Sequence, residues 1–317
     1  MKIDAHMHVN FNEWGLNDII TYLDKNQFDY CWLMTWEEVD PGWWRYDDLC
    51  IADVFSAYKK YPSRIVPMYA PDPNRPDAAE QMRRWYEKGI RGCAELKSTV
   101  NWGSDNVTRL LSAVSELEIP VVFHMERSRE VIHVKEVNNS LEHIILKLMH
   151  TNRLFGLPRK VFNILTNYHQ GLAHWKEKRT LSFPGYMLDF ASLEARLQEF
   201  PEIPFIGHGP LFWQHISGKV SPGETMYPEG PVLEGGVTCR LLRTYPNLYA
   251  DLSAGSGLNA LKRDPEFTRK FIDEFAHKII FGSDNTEEHV DVLSNIDLSS
   301  EKLDMIYGEN AAKIVPV

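Results

Sequence analysis

The sequence predicts a (β/α)8 barrel, the TIM barrel. Three observations predict it: eight short apolar runs of strand character, helical spacing between most of them, and chain breakers where helices should stop. The runs lie at 2–8, 30–34, 65–69, 91–95, 121–124, 204–208, 248–251 and 279–282. They are rich in β-branched and aromatic residues, as buried strands are. Apolar residues at helical spacing occupy 18–25, 47–61, 75–88, 106–116, 189–200, 237–244 and 265–275, and a last helix falls within 301–314. Tyr61-Pro62, Lys88-Gly89, Phe200-Pro201 and Tyr245-Pro246 each end a helix just before the next strand. One domain over 1–317 fits this alternation better than two joined by a linker.

The interval between the fifth and sixth strands is too long for a plain βα unit. Residues 128–184 form a charged insertion with one apolar stripe at Leu141, Ile144, Ile145 and Leu148 and another around Val161, Ile164 and Leu165. A helical insertion in the loop after the fifth strand is therefore expected, either as a lid over the barrel mouth or as an oligomer contact. His133, His143, His150, His169 and His174 fall within it without ligand spacing and are read as surface residues.

The chain has 317 residues, enough for a full core, and a formal charge of −10 that argues against a nucleic-acid partner. No run approaches a membrane span and no leader pattern opens the chain, so a cytoplasmic protein with a small-molecule substrate is expected, compatible with a homo-oligomer. Cys31, Cys50, Cys93 and Cys239 form no C-x-x-C pair and read as reduced thiols. Trp43-Trp44-Arg45-Tyr46 reads as a buried aromatic corner, and the long segment 209–236 as a wall of the pocket.

His6 and His8 stand two residues apart on the first strand and should project the same way. Buried neutral imidazoles need a metal ion or a hydrogen-bond network. The other strand ends decide for chemistry: Glu95 with Lys97 on the fourth, His124 on the fifth, His208 on the sixth and Asp284 after the eighth. Barrel active sites are assembled at that C-terminal rim. Trp36, Tyr69 and Arg127 also lie at strand ends and are candidate substrate contacts with Lys97.

In this order the motifs Ile3-Asp4-Ala5-His6-Met7-His8, Pro120-Val121-Val122-Phe123-His124, Phe205-Ile206-Gly207-His208-Gly209, Tyr245-Pro246-Asn247-Leu248-Tyr249-Ala250-Asp251-Leu252-Ser253, Phe281-Gly282-Ser283-Asp284 and Gly308-Glu309-Asn310-Ala311-Ala312 are those of a known family. The chain resembles the amidohydrolase superfamily, in particular its amidohydrolase-related branch of metal-dependent hydrolases and decarboxylases. The resemblance implies metal ligation by His6, His8, His124 and Asp284, with Asp284 also taking a proton from water and His208 polarising a substrate carbonyl. It implies one divalent cation. Some members hold two, bridged by a fourth-strand group, and then Glu95 would bridge and His208 would join the second metal. Histidine-rich coordination suits zinc best, with manganese and iron as alternatives. The expected activity is hydrolysis of a lactone, amide or ester; the alternative is non-oxidative decarboxylation of a small carboxylic acid.

Overall fold

The computed structural model describes residues 1–38, 49–136, 176–221 and 223–317. Parallel strands β1 (Ile3–Met7), β2 (Tyr30–Leu33) and β3 (Ile65–Pro67) form one sheet. A second holds β4 (Cys93–Leu96), β5 (Val121–His124), β8 (Phe205–His208), β9 (Leu248–Asp251) and β10 (Ile279–Ile280), in spatial order β10-β9-β8-β5-β4. Backbone hydrogen bonds close the cylinder at both seams. Tyr69 N–H donates to the Gly92 carbonyl at 3.0 Å, and Ala5 N–H to the Phe281 carbonyl at 2.9 Å. The expected barrel is therefore the fold.

The pleat sorts apolar side chains into two cores. Ile3, Ala5, Trp32, Val66, Ala94, Val122, Ile206 and Ile280 fill the interior, whereas Cys31, Leu33, Ile65, Cys93, Val121, Phe123, Phe205 and Leu248 face the helices. Those helices form where apolar periodicity and caps agree. Ser104 Oγ caps Asp105–Glu116, Asp189 caps Phe190–Glu199, and Asp264 caps Pro265–Phe275. Three further helices, Pro210–Gln214, Ala254–Lys262 and Glu288–Ser294, lie outside the periodic stretches of the sequence. They follow β8, β9 and β10, so their short apolar patterns sit in βα loops.

The insertion does fall after β5. Its described ends are a ribbon, though, not helices: β6 (Arg129–Glu136) pairs antiparallel with β7 (Lys176–Phe183). Val131, Ile132, Val134 and Thr180 supply the β-branched residues that favour strand pairing over the expected helical start. The stripes from Leu141 to Leu165, and Trp43-Trp44-Arg45-Tyr46, lie outside the described residues. The chain divides into two compact units, one of Met1–Glu38, Asp48–Arg127 and Gly185–Val317, the other containing the ribbon.

Candidate metal centre

Strict alternation along β1 would place His6 on the helix side, because Ile3 and Ala5 both point inward. A register shift between Asp4 and Met7 intervenes, so Met7 faces the helices and His6 and His8 share the interior. The fourth strand uses the same device. Between Cys93 and Leu96, both on the helix side, a second register shift turns Glu95 inward beside Ala94. Gly282 lets the eighth-strand end approach: a Cβ there would come within 2.6 Å of His6 Cβ and 2.7 Å of Asp251. Beyond it Asp284 and Asn285 take left-handed φ of 52° and 58°, which Asp and Asn tolerate better than most residues. Asn285 then clamps β1, accepting from His8 N–H at 2.8 Å and donating to the His8 carbonyl at 2.7 Å.

All five expected ligands and His208 meet here. His6 and His8 Nε2 are 3.1 Å apart, and Asp284 Oδ1 lies 3.4 Å from His8 Nε2 and 3.9 Å from His6 Nε2. Glu95 divides its oxygens. Oε2 faces His8 Nε2 at 3.6 Å and His6 Nε2 at 4.0 Å; Oε1 faces His124 Nδ1 at 2.8 Å and His208 Nε2 at 3.8 Å. Donor atoms on a zinc tetrahedron with bonds of about 2.0–2.1 Å stand about 3.3 Å apart, so these separations suit ligands around a cation.

The hydrogen bonds point the same way. His6 Nδ1 is held by Asp251 Oδ2 at 2.6 Å and His8 Nδ1 by the Met34 carbonyl at 2.9 Å, which directs each Nε2 inward. Asp284 Oδ1 is buried and has no hydrogen-bond partner. An orphaned carboxylate oxygen beside two converging imidazole nitrogens fits a positive ion. The electrostatics agree. Burial opposes charge on His6, but Asp251, then Asp284 and Glu95, outweigh it and hold the imidazole up at about 9. Burial and the neighbouring His6 press His8 down to about 3. Burial also lifts Asp284 to about 7, with His6 opposing. Glu95 moves the other way: burial is overcome by Lys97, His124 and His6, which keep it well below the usual carboxylate range.

On the other side of Glu95, His124 engages two carboxylates, its Nε2 lying 3.3 Å from Glu126 Oε2. Burial and Lys97 push its pKa down, yet Glu126 and Glu95 raise it above the ordinary histidine value. His208 instead stays neutral, pressed well down by burial and by His6, and its Nδ1 rests on Ser253 Oγ at 2.8 Å.

The candidate substrate contacts separate. Trp36 packs against His8 with ring centroids 4.8 Å apart, and buried Lys97 lies 4.2 Å from the Trp36 ring centre. Arg127 hydrogen-bonds the Glu224 carbonyl. Tyr69 turns to the helix layer, where it packs on Trp85 and donates to Glu37 at 3.2 Å. Asp251 and Ser253 join the site without standing among the sequence candidates, although Asp251 ends a strand and is an acid like the others.

A family model described as "Amidohydrolase" matches residues 3–317. The chain belongs to this amidohydrolase family. No curated protein matches it in sequence. Solved structures share the fold at low identity. A probable 2-pyrone-4,6-dicarboxylic acid hydrolase from Acinetobacter baumannii, with citric acid bound, is 13% identical with a TM-score of 0.54, covering 99% of this chain and 98% of that one. The 5-carboxyvanillate decarboxylase of Sphingomonas paucimobilis is 11% identical with a TM-score of 0.52, covering 99% and 98%. A dihydroxybenzoic acid decarboxylase from Polaromonas, with manganese and 2-nitroresorcinol, is 13% identical with a TM-score of 0.51, covering 99% and 96%. Among the described residues of this amidohydrolase, no helix is long and apolar enough to cross a membrane.

Proposed function

We propose that this amidohydrolase is a metal-dependent hydrolase of a small lactone, amide or ester, in which His6, His8, Glu95, His124, His208 and Asp284 would hold two divalent cations, with zinc as the expected ion. The observation that carries this reading is the division of the Glu95 carboxylate between His6 and His8 on one side and His124 and His208 on the other. It favours two cations over the single one expected from the sequence. Asp284 would complete the first set, and His124 and His208 would make up the second with Glu95, although His208 also lies near His6 and Asp284. Bound divalent ions supply Lewis acidity toward a carbonyl oxygen and make water a better nucleophile near neutral pH.

The chain's own groups do the rest. Asp284, whose buried Oδ1 has no hydrogen-bond partner, is placed to accept a proton from water and return it to a leaving group. Lys97, on the fourth strand beyond Glu95, is proposed to meet an acidic substituent of the substrate, and Trp36 to wall the site beside His8. The same Asp284 carboxyl can deliver a proton to carbon, and this favours decarboxylation as the second reading.

Elemental analysis of the purified protein, beside a panel of lactones, amides, esters and aromatic carboxylates, tests both readings. Two equivalents of divalent metal and release of a new acid group from a lactone, amide or ester are expected. One equivalent restores the single-cation arrangement, and carbon dioxide as the product makes the protein a lyase.

A further inference from the structure

Asp251 holds more of this site than a single histidine. Its Oδ2 accepts from His6 Nδ1 at 2.6 Å and from the Ser253 hydroxyl at 2.9 Å, and its Oδ1 accepts from Ser253 N–H at 2.9 Å. Ser253 Oγ in turn lies 2.8 Å from His208 Nδ1. Ser253, His6 and His208 are all buried, so water does not rearrange these bonds freely. A serine hydroxyl has one proton to give, and a carboxylate can only accept. Were that proton given to His208, oxygen lone pairs of Ser253 and Asp251 would oppose each other at 2.9 Å. The consistent arrangement runs from His208 Nδ1–H to Ser253, and from the Ser253 hydroxyl to Asp251.

We propose that Asp251 and Ser253 are a positioning pair that fixes the ring proton of His208 on Nδ1, leaving Nε2 as an electron-pair donor turned toward Glu95. Through Asp251 the same pair orients His6, so one carboxylate on β9 aims imidazoles from two other strands. Its use in the protein rests on the metal-centre reading above; the tautomer itself does not.

Nitrogen-15 labelling of the histidines in the full metal-free chain tests this, with His208 assigned by comparison with His208→Asn. Two-bond correlation spectra report which ring nitrogen carries the proton. The native protein should show His208 protonated on Nδ1 and bare on Nε2. In Ser253→Ala the Nδ1 proton loses its hydroxyl acceptor and keeps only Asp251 Oδ2 at 3.5 Å, against Glu95 Oε1 at 3.8 Å from Nε2, so the Nδ1–H form should lose population to Nε2–H. A native His208 with its proton on Nε2, or on both nitrogens, overturns the proposal without any substitution; so does a Ser253→Ala spectrum whose ratio of Nδ1–H to Nε2–H is that of the native protein. Zinc titration of the same two proteins separates the readings. A loss of about 10–100-fold in affinity is expected for Ser253→Ala, whereas a native chain that binds no divalent ion sinks the metal centre and leaves the tautomer result standing.

Discussion

His6 and His8 on one side of Glu95, and His124 and His208 on the other, use the same residue type in different states. On the β1 side each imidazole spends one nitrogen on a fixed acceptor, Asp251 or the Met34 carbonyl, and turns the other to the centre. Across the β5–β8 pair His124 and His208 stand opposite each other in register, yet His124 spends both nitrogens on carboxylates and His208 only one on Ser253. The β1 side is organised for a cation in advance. Both sides must release a proton, from His6 and from His124, and the β5 side must also give up the Glu126 contact, so its ion should bind second and more weakly.

Substitutions can break this asymmetry. The largest effect is expected for Asp284→Asn, which removes both a ligand and the proton acceptor: turnover should fall by about 10²–10⁴-fold, and the acid limb of the rate profile should vanish with it. A steady-state pH series measures both. Next, His124→Ala should lower the metal content from two ions per chain to one. If elemental analysis finds that variant empty, the two sides are a single site.

A smaller effect sharpens the comparison in the metal-free protein. His6 is raised from 6.5 to about 9 in the folded chain, so its contribution to stability is complete below the unfolded value and is lost as pH climbs through about 9. That difference is worth up to ~3 kcal/mol. His8, lowered from 6.5 to about 3, contributes with the opposite sign: its share is present above the unfolded value and lost as pH falls toward about 3. Thermal unfolding in chelator should therefore peak near neutrality, and His6→Asn should flatten the alkaline slope. The smallest change is expected from Glu126→Gln. Freed from one carboxylate, His124 should lose part of its raised pKa and take the second ion more readily, by a few-fold in calorimetric titration near pH 7.

Much of the barrel was legible because buried parallel strands leave continuous apolar runs, and the strand ends displayed His124, His208 and Glu95 directly. The bulges in β1 and β4 were not legible, since a register shift depends on how two strands pair and leaves no mark in a short run. Tyr69 shows the limit from the other side: a strand-end position says where a residue sits along the barrel, and its direction depends on the pleat. Asp251 and Ser253 are visible as polar residues at the end of the run from Tyr245 to Ser253. What they hold is set by contacts to residues far away in sequence, which spacing does not reveal.

The two bulges tie the chemistry to a matter of parity. Pairing β1 with β2 in strict alternation from Ile3 through Met7 would instead swing His6 out among the helices and bring Met7 inside. A barrel paired that way would lack the first imidazole of its site and be inert. In this barrel an odd or even number of peptide units separates a scaffold from an enzyme.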